Sequence, residues 1–141
     1  MQNTNIFLIR HGDLENPKKI IYDGTISLSE FGKEKMRKLG RIFREMGVIP
    51  DAVVSSDFLR AMQSSQEIMS NYPDLNILIE PDPRLQDPHS PDLFGKSIAW
   101  LAEIVDPYTY PELLNSRIER PPSFTARMVE SIKDILRKRG G

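Results

Sequence analysis

Hydrophobic residues follow two different spacings along this chain. Continuous apolar runs of three or four residues occupy positions 6–9, 52–54 and 77–79. Runs without alternation are typical of strands that are covered on both faces, as in a parallel sheet. Elsewhere, apolar residues recur three or four positions apart, which is the spacing of an amphipathic helix. The pattern therefore predicts strands that alternate with helices.

Capping and breaking residues set the expected limits of four helices. Ser27 to Glu30 form a capping box, which opens a helix, and Gly47 is suited to end it. The first predicted helix runs from this box to Gly47, and the second starts after Ser56 and ends at Tyr72-Pro73. A short third helix carries residues 94–105 and stops before Pro107. The fourth covers residues 123–139.

The order strand, helix, strand, helix, strand predicts an α/β fold. Right-handed crossovers place helices on both faces of the sheet, so we expect a three-layer α/β/α arrangement with a mostly parallel sheet in a single domain over residues 1–141. Ligands of such folds bind beyond the carboxyl ends of the strands. Arg10, His11 and Gly12 follow the first run, and Ser55 and Ser56 follow the second, so polar residues gather at this edge.

The composition of the chain excludes several kinds of site and partner. Lys and Arg total 19 and Asp and Glu total 20, so the net charge is −1 and there is no overall field to attract nucleic acid or an anionic membrane. The absence of cysteine excludes disulfides, thiolate metal sites and cysteine nucleophiles. No run reaches the roughly 20 apolar residues that span a bilayer. We therefore expect a cytoplasmic protein without a metal site, a nucleic-acid partner or a membrane partner.

Arg10, His11 and Arg60 suit a phosphoryl group. A guanidinium binds phosphate oxygens with two parallel hydrogen bonds, and the helix that starts after Ser56 adds main-chain donors. Gly12 lets the main chain pass close to an anion. His11 is then the natural nucleophile, provided that its attacking nitrogen is unprotonated and its other nitrogen donates to a fixed acceptor.

These residues belong to a longer series of short motifs. In chain order they are Leu8-Ile9-Arg10-His11-Gly12 with Asn16, Leu28-Ser29 with Gly32, Ser55-Ser56 with Arg60-Ala61 and Ser64, Arg84-Leu85-Gln86-Asp87, and Ser123-Phe124 with Arg127. The series resembles the histidine phosphatase superfamily, also called the phosphoglycerate mutase-like superfamily. The resemblance covers nearly the whole chain and implies the three-layer fold of that family.

The resemblance also implies a role for each matched residue. His11 is the nucleophile that becomes phosphorylated, Arg10 and Arg60 bind the phosphoryl oxygens, and Asn16 contacts the phosphate or the substrate. Asp87 takes the position of the general acid, where the family usually has Glu, and Asp13 and Glu15 are weaker candidates. His89 stands two residues after the acid and resembles a substrate-loop residue. No cofactor is implied.

One part of the family pattern has no counterpart here. The family carries a second catalytic histidine on a strand that follows the last helix, and this sequence reaches only Gly141. We therefore expect a domain that is incomplete at its C-terminus. Without that strand, residues 6–9 would present open main-chain groups and apolar faces. Truncation is our favoured explanation; pairing with another copy in a homodimer and a rearranged sheet are the alternatives.

The favoured function is a phosphomonoesterase that hydrolyses small phosphorylated metabolites through a phosphohistidine on His11. One alternative is a catalytically impaired relative that only binds phosphate-bearing ligands or inorganic phosphate, or a truncated domain. Another is a phosphoglycerate mutase, which is less favoured because the chain has little room for inserted segments over the site. Specificity is expected in residues 84–97 and 106–122, which carry no readable code for a substrate.

Overall fold

Helices and a small parallel sheet form the regular structure of residues 3–104 and 110–139, the part of the chain that this computed structural model describes. The helices are α1 (Glu30–Glu45), α2 (Leu59–Met69), α3 (Ile98–Ala102) and α4 (Pro121–Arg139), and the strands are β1 (Val53–Ser55) and β2 (Ile79–Pro81). Single 3-10 turns lie at Pro83–Leu85, Pro91–Leu93 and Pro111–Leu113. The alternation of helices and strands confirms the α/β class.

Helix α1 ends where Gly47 predicts, but it begins two residues later than the capping box from Ser27 to Glu30 indicates. The hydroxyl of Ser29 accepts a hydrogen bond from the amide of Gly32, as an N-cap does, and the helix starts at the next residue. After the helix, Gly47 adopts a φ of +75°, a conformation that costs glycine little. Helix α3 is shorter than predicted, because it ends at Ala102; Pro107 lies outside the described residues.

Helices α1 and α2 pack closely against each other, and a glycine makes this possible. A Cβ atom on Gly40 would lie 2.4 Å from the carbonyl oxygen of Ile68, so only glycine fits at this contact. Leu28, Met36 and Ile68 form the buried apolar cluster between the two helices and the loop before α1. The hydroxyl of Tyr72 donates to the carbonyl of Val48 at 2.8 Å and closes the far end of the seam.

The sheet has the predicted parallel pairing. Val53 of β1 lies opposite Ile79 of β2, and both strands run in the same direction. Beyond the strands, the amide of Asp82 donates to the carbonyl of Ser55 at 2.7 Å, so the loop after β2 starts beside the carboxyl end of β1. The two strand predictions at 52–54 and 77–79 are therefore confirmed, with each strand shifted one or two residues along the chain.

The predicted strand at residues 6–9 is not formed. These residues pair with no described strand, and none of their main-chain groups forms a hydrogen bond with a described residue. Ile6 is 42% exposed and Leu8 is 79% exposed. A strand requires a hydrogen-bonded neighbour, and no described segment pairs with this run. The expected exposure of its apolar side chains is found; one of them, Phe7, rests against Phe43 of α1 with ring centroids 5.3 Å apart.

Helix α4 packs against the loop that follows β2 through charged and polar side chains. Arg84 binds Asp82 and reaches Asp134 of α4 at 2.7 Å. Asp82 also accepts a hydrogen bond at 2.7 Å from Ser131, which is fully buried on the helix. The hydrogen bonds from Arg84 and then from Ser131 lower the pKa of Asp82 to about 2, despite partial burial. None of the described helices is long and apolar enough to cross a membrane.

Candidate active site

His11 has the protonation pattern that a nucleophile needs. Its Nδ1 lies 2.8 Å from the carbonyl oxygen of Gly12, and because a carbonyl can only accept, Nδ1 carries the proton. In the neutral form of the ring, Nε2 is then the nitrogen without a proton, and no described residue forms a hydrogen bond with it. The ring is half-buried.

A buried hydroxyl connects the His11 segment to helix α2. The amide of Gly12 donates to Oγ of Ser64 at 3.0 Å, and that hydroxyl donates to the carbonyl of Arg60 at 2.7 Å. A Cβ atom on Gly12 would lie 2.7 Å from the carbonyl oxygen of Gly32, so a side chain there would collide with α1. Gly12 and Ser64 therefore hold the nucleophile segment and the arginine helix in a fixed relation.

Arg60 is the most deeply buried charged side chain among the described residues, with 2% of its surface exposed. Its Nη1 donates to the carbonyl of Asp23 at 2.9 Å, and its Nη2 donates to the Asp87 carboxylate at 2.5 Å. The guanidinium lies 5.0 Å from the ring centroid of Tyr22 and 4.7 Å from that of Phe58. These aromatic contacts hold the planar cation in one orientation.

The start of α2 offers fewer free main-chain donors than predicted. The amide of Phe58 donates to Oγ of Ser56 at 3.3 Å, and the amide of Leu59 donates to the carbonyl of Gly24 at 2.9 Å. Ser56 itself is buried. Its hydroxyl therefore serves the turn into α2.

Asp87 stands where the candidate acid should be, beside Arg60. Its side chain is 58% exposed, so it can exchange protons with solvent or with a bound ligand. The weaker candidate Asp13 lies in an ion pair with Lys35 at 2.8 Å. That hydrogen bond from Lys35 holds the pKa of Asp13 below its usual value.

His89 lies on the same loop and is exposed. Its Nε2 is 2.7 Å from Oε1 of Gln86, whose amide nitrogen donates to Asp57 at 2.7 Å. Since Gln86 uses its nitrogen on Asp57, its oxygen accepts, and His89 carries its proton on Nε2. His89 is thus held at the rim of the site rather than beside His11.

Arg10 and Asn16 differ in how free their side chains are. Arg10 is exposed and forms no hydrogen bond with any described residue, so its guanidinium is available to an anion. The side chain of Asn16 closes a turn instead: its Nδ2 donates to the carbonyl of Ile20 at 2.9 Å, and its Oδ1 accepts from the amide of Ile20 at 3.3 Å. One N–H of Nδ2 and one lone pair of Oδ1 are left over for a further contact.

A cleft of about 680 Å³ opens over Arg60. Arg60, Asp87 and His89 line its polar end, whereas His11 is not among the lining residues. The rest of the wall is mainly apolar and comes from four segments; it includes Ile21, Tyr22, Phe58, Leu93, Phe94, Ile98, Leu101 and Ile118. Among the described residues, no three His, Asp or Glu side chains come close enough together to share a metal ion.

Comparison with known proteins assigns the family. A sequence model of the histidine phosphatase superfamily (branch 1) matches residues 6–141. The chain belongs to this superfamily. The motif resemblance is thereby confirmed.

Relatives of this chain include a phosphatase and a mutase. The broad-specificity phosphatase YOR283W of Saccharomyces cerevisiae is 27% identical over 131 residues, which cover 92% of this chain and 56% of the relative. Phosphoglycerate mutase 1 of the same yeast is 30% identical over 96 residues, or 67% of this chain and 39% of the relative. The chain thus spans about half the length, or less, of these curated relatives.

The fold matches solved histidine phosphatase structures as well. The structure of Bacillus stearothermophilus YhfR superposes with a TM-score of 0.76 at 23% sequence identity, and the match covers 94% of this chain and 67% of that one. At this identity the likeness establishes the fold. It confirms the predicted phosphoglycerate mutase-like architecture, of which the two-stranded parallel sheet and the flanking helices are present here.

The motifs did not predict the aromatic surroundings of Arg60 or the contacts of Arg127. Tyr22 and Phe58 carry no motif that marks them as partners of a guanidinium. The motif series includes Arg127 only as part of a helix. The available signal was its position, because it falls three residues after Phe124 and four before Ser131, on the face of α4 that packs inward.

Proposed function

We propose that this chain is a phosphomonoesterase that transfers the phosphoryl group of a small ester to His11 and then to water. The observation that carries the proposal is the His11 ring, whose Nδ1 is held by the Gly12 carbonyl while Nε2 forms no hydrogen bond with a described residue. Support comes from the buried Arg60 guanidinium, which Ser64 links to the same segment. The phosphatase relative makes hydrolysis the favoured outcome over mutase chemistry.

In the first step, Nε2 of His11 attacks phosphorus and the bond to the leaving oxygen breaks. Asp87 donates its proton to that oxygen, so the alcohol leaves neutral. Arg60 and Arg10 stabilise the negative charge on the phosphoryl oxygens in the transition state. In the second step, the Asp87 carboxylate takes a proton from water, the hydroxide attacks phosphorus, and inorganic phosphate leaves from Nε2. The chain's own side chains supply every proton and charge in this sequence, and we expect no cofactor.

A phosphate-binding protein with little turnover is the second candidate. The observation that favours it is the position of His11, which does not line the cleft that holds Arg60 and Asp87. Binding requires the two arginines but neither the free Nε2 nor the carboxyl group. Retention of phosphate without hydrolysis would therefore distinguish this function from the esterase.

The deciding experiment measures hydrolysis of p-nitrophenyl phosphate in the presence of a chelator. We expect the His11→Asn variant to lose at least about 10³-fold in kcat, because no other described side chain can take the nucleophile's place. An acid-labile, base-stable label from a radioactive substrate should appear on the wild-type chain and be absent from His11→Asn.

The comparison variant for this experiment is His89→Asn. It removes the other histidine, at the rim of the cleft, and should change KM more than kcat while the phosphohistidine label persists. Equal turnover by wild type and His11→Asn would refute the proposal. Phosphate binding with no turnover and no label would favour the binding protein instead.

A further inference from the structure

A second arginine, Arg127, contacts the loop that carries Asp87. Arg127 on α4 forms a two-point ion pair with Glu119: Nε lies 2.8 Å from Oε1, and Nη2 lies 2.7 Å from Oε2. The Arg127 and Glu119 side chains are only 16% and 10% exposed. The hydrogen bonds from Arg127 lower the pKa of Glu119 to about 2, so this carboxylate stays ionised near neutral pH. The pair is a fixed, charged element of the fold.

The other donors of Arg127 are directed to main-chain carbonyls of the loop. Nη1 donates to the carbonyls of Arg84 and Gln86, both at 2.7 Å, and Nη2 donates to the carbonyl of Asp87 at 3.0 Å. The ring of Phe124 lies 4.9 Å from the guanidinium and covers it from the side. A single planar fork thus holds three carbonyls within four consecutive residues, including that of the candidate acid itself.

Glu119 holds the same loop on the other side of Asp87. Its Oε2 accepts from the amide of His89 at 3.0 Å, and its own amide donates to the carbonyl of His89 at 2.6 Å. The ion pair therefore contacts the loop main chain before, at and after Asp87. The Asp87 side chain, in contrast, is 58% exposed and makes its contact with Arg60 on the other side.

We propose that Arg127, oriented by Glu119, is a positioning residue for the general acid. It sets the course of the main chain around Asp87, so that the carboxyl group meets Arg60 and the leaving oxygen at one place. The inference rests on the proposed function, because that function makes Asp87 the acid. Lysine cannot replace Arg127, since an ammonium is a point charge and lacks the planar fork that spans three carbonyls and a carboxylate.

Leaving-group dependence separates positioning from a merely structural role. The oxygen of p-nitrophenyl phosphate leaves as a stable anion and needs little help from an acid, whereas the alkoxide of glycerol phosphate must be protonated as it leaves. A misplaced Asp87 therefore slows hydrolysis of the alkyl ester selectively. A general loss of folded protein would slow both reactions by the same factor.

The test compares kcat/KM for both esters in Arg127→Lys, Asp87→Asn and Arg37→Lys. This ratio reports the steps up to release of the alcohol, whereas kcat also contains the second step, in which Asp87 acts on water for both esters. Arg37 is the matched control, because it also binds two carboxylates, Glu34 at 2.6 Å and Glu67 at 2.8 Å, but far from the loop in sequence and on the α1–α2 surface. For Arg127→Lys and Asp87→Asn we expect kcat/KM to fall about 10- to 100-fold on glycerol phosphate and by no more than about 3-fold on p-nitrophenyl phosphate. Arg37→Lys should change neither.

Amide hydrogen exchange supplies a readout that does not depend on turnover. Arg127→Lys should raise the exchange rate of residues 84–90 by about 10-fold and leave α1 and α2 unchanged, because only the loop loses its anchor. Unchanged exchange in the loop overturns the inference, whether or not the chain hydrolyses either ester. Faster exchange confined to the loop supports it.

The kinetic outcomes distinguish the inference from the proposed function. If Asp87→Asn shows the selective loss and Arg127→Lys slows both esters equally, or neither, the positioning role is wrong and the acid assignment stands. If Asp87→Asn slows both esters equally, the acid assignment of the proposed function is wrong, and a role for Arg127 in placing that acid falls with it.

Discussion

Arg60 combines three kinds of contact that no other described residue combines. It is buried, it lies against two aromatic rings, and it donates both to a main-chain carbonyl and to the candidate acid. The fork chemistry of arginine allowed its phosphate-binding role to be predicted from the sequence. Its aromatic neighbours could not be predicted, because Tyr22 reaches it from a segment 38 positions away in the chain.

Replacing Arg60 with lysine should weaken phosphate binding although the charge is kept. Charge-assisted hydrogen bonds contribute about 1.5 to 3 kcal/mol each, so the loss of one or two predicts a Kd for inorganic phosphate that rises at least about 10-fold. Titration calorimetry measures this directly. The Arg37→Lys variant serves as the control, and an unchanged Kd in Arg60→Lys would show that phosphate binds elsewhere.

The helices followed their sequence signals much more closely than the strands. Caps and breakers act within a few residues, so the capping box at Ser27 to Glu30 predicted the start of α1 to within two residues and Gly47 predicted its end. Strands depend on distant partners. The strands predicted at 52–54 and 77–79 pair with each other. Residues 6–9 have the same apolar character, but they pair with no described strand. The strand predicted at 6–9 is therefore absent because it has no described partner, and not because its residues disfavour a strand.

The seam between α1 and α2 should tolerate no side chain at Gly40. In an exposed helix, glycine to alanine gains about 1 kcal/mol, but here the new Cβ would meet the carbonyl of Ile68 at 2.4 Å. Overpacking of this kind costs about 1 to 3 kcal/mol, so we expect Gly40→Ala to be less stable in urea denaturation.

Gly47→Ala is the matched comparison for the α1–α2 seam. Gly47 has a φ of +75°, and a Cβ atom at this position would meet no other atom within 4 Å. The cost of the substitution is therefore conformational only, about 1 kcal/mol. A more stable Gly40→Ala variant would mean that the two helices are less tightly packed than described.

Across the whole molecule, ionised carboxylates tie α4 to the loop after β2. Asp82 and Glu119 both have pKa values of about 2, because Arg84 and Arg127 donate to them. The motif resemblance predicted the family but not this network, whose partners lie up to 50 positions apart. Long-range charge pairs leave no periodic trace in a sequence.

Acid should weaken the molecule through these carboxylates. The folded-state pKa of Asp82 is lowered from 3.8 to about 2, so its stabilisation is complete above pH 4 and is lost as the pH falls toward 2. A shift of this size corresponds to at most about 2.5 kcal/mol. Asp82→Asn should therefore be less stable than wild type at pH 7 and show a smaller further loss between pH 4 and pH 2, measured by urea denaturation. Asp51→Asn, which alters an exposed carboxyl without a described ion pair, should follow the wild-type curve.

The uncovered segment at residues 6–9 has a consequence for the protein in solution. Its apolar side chains face water, and its main-chain donors and acceptors have no described partner. Such a segment pairs readily with any strand edge that it meets, its own counterpart in a second molecule included. We therefore expect self-association of this protein to depend on its concentration even when every molecule is folded. The concentration of this protein is therefore a condition to be controlled in experiments, as pH and salt are.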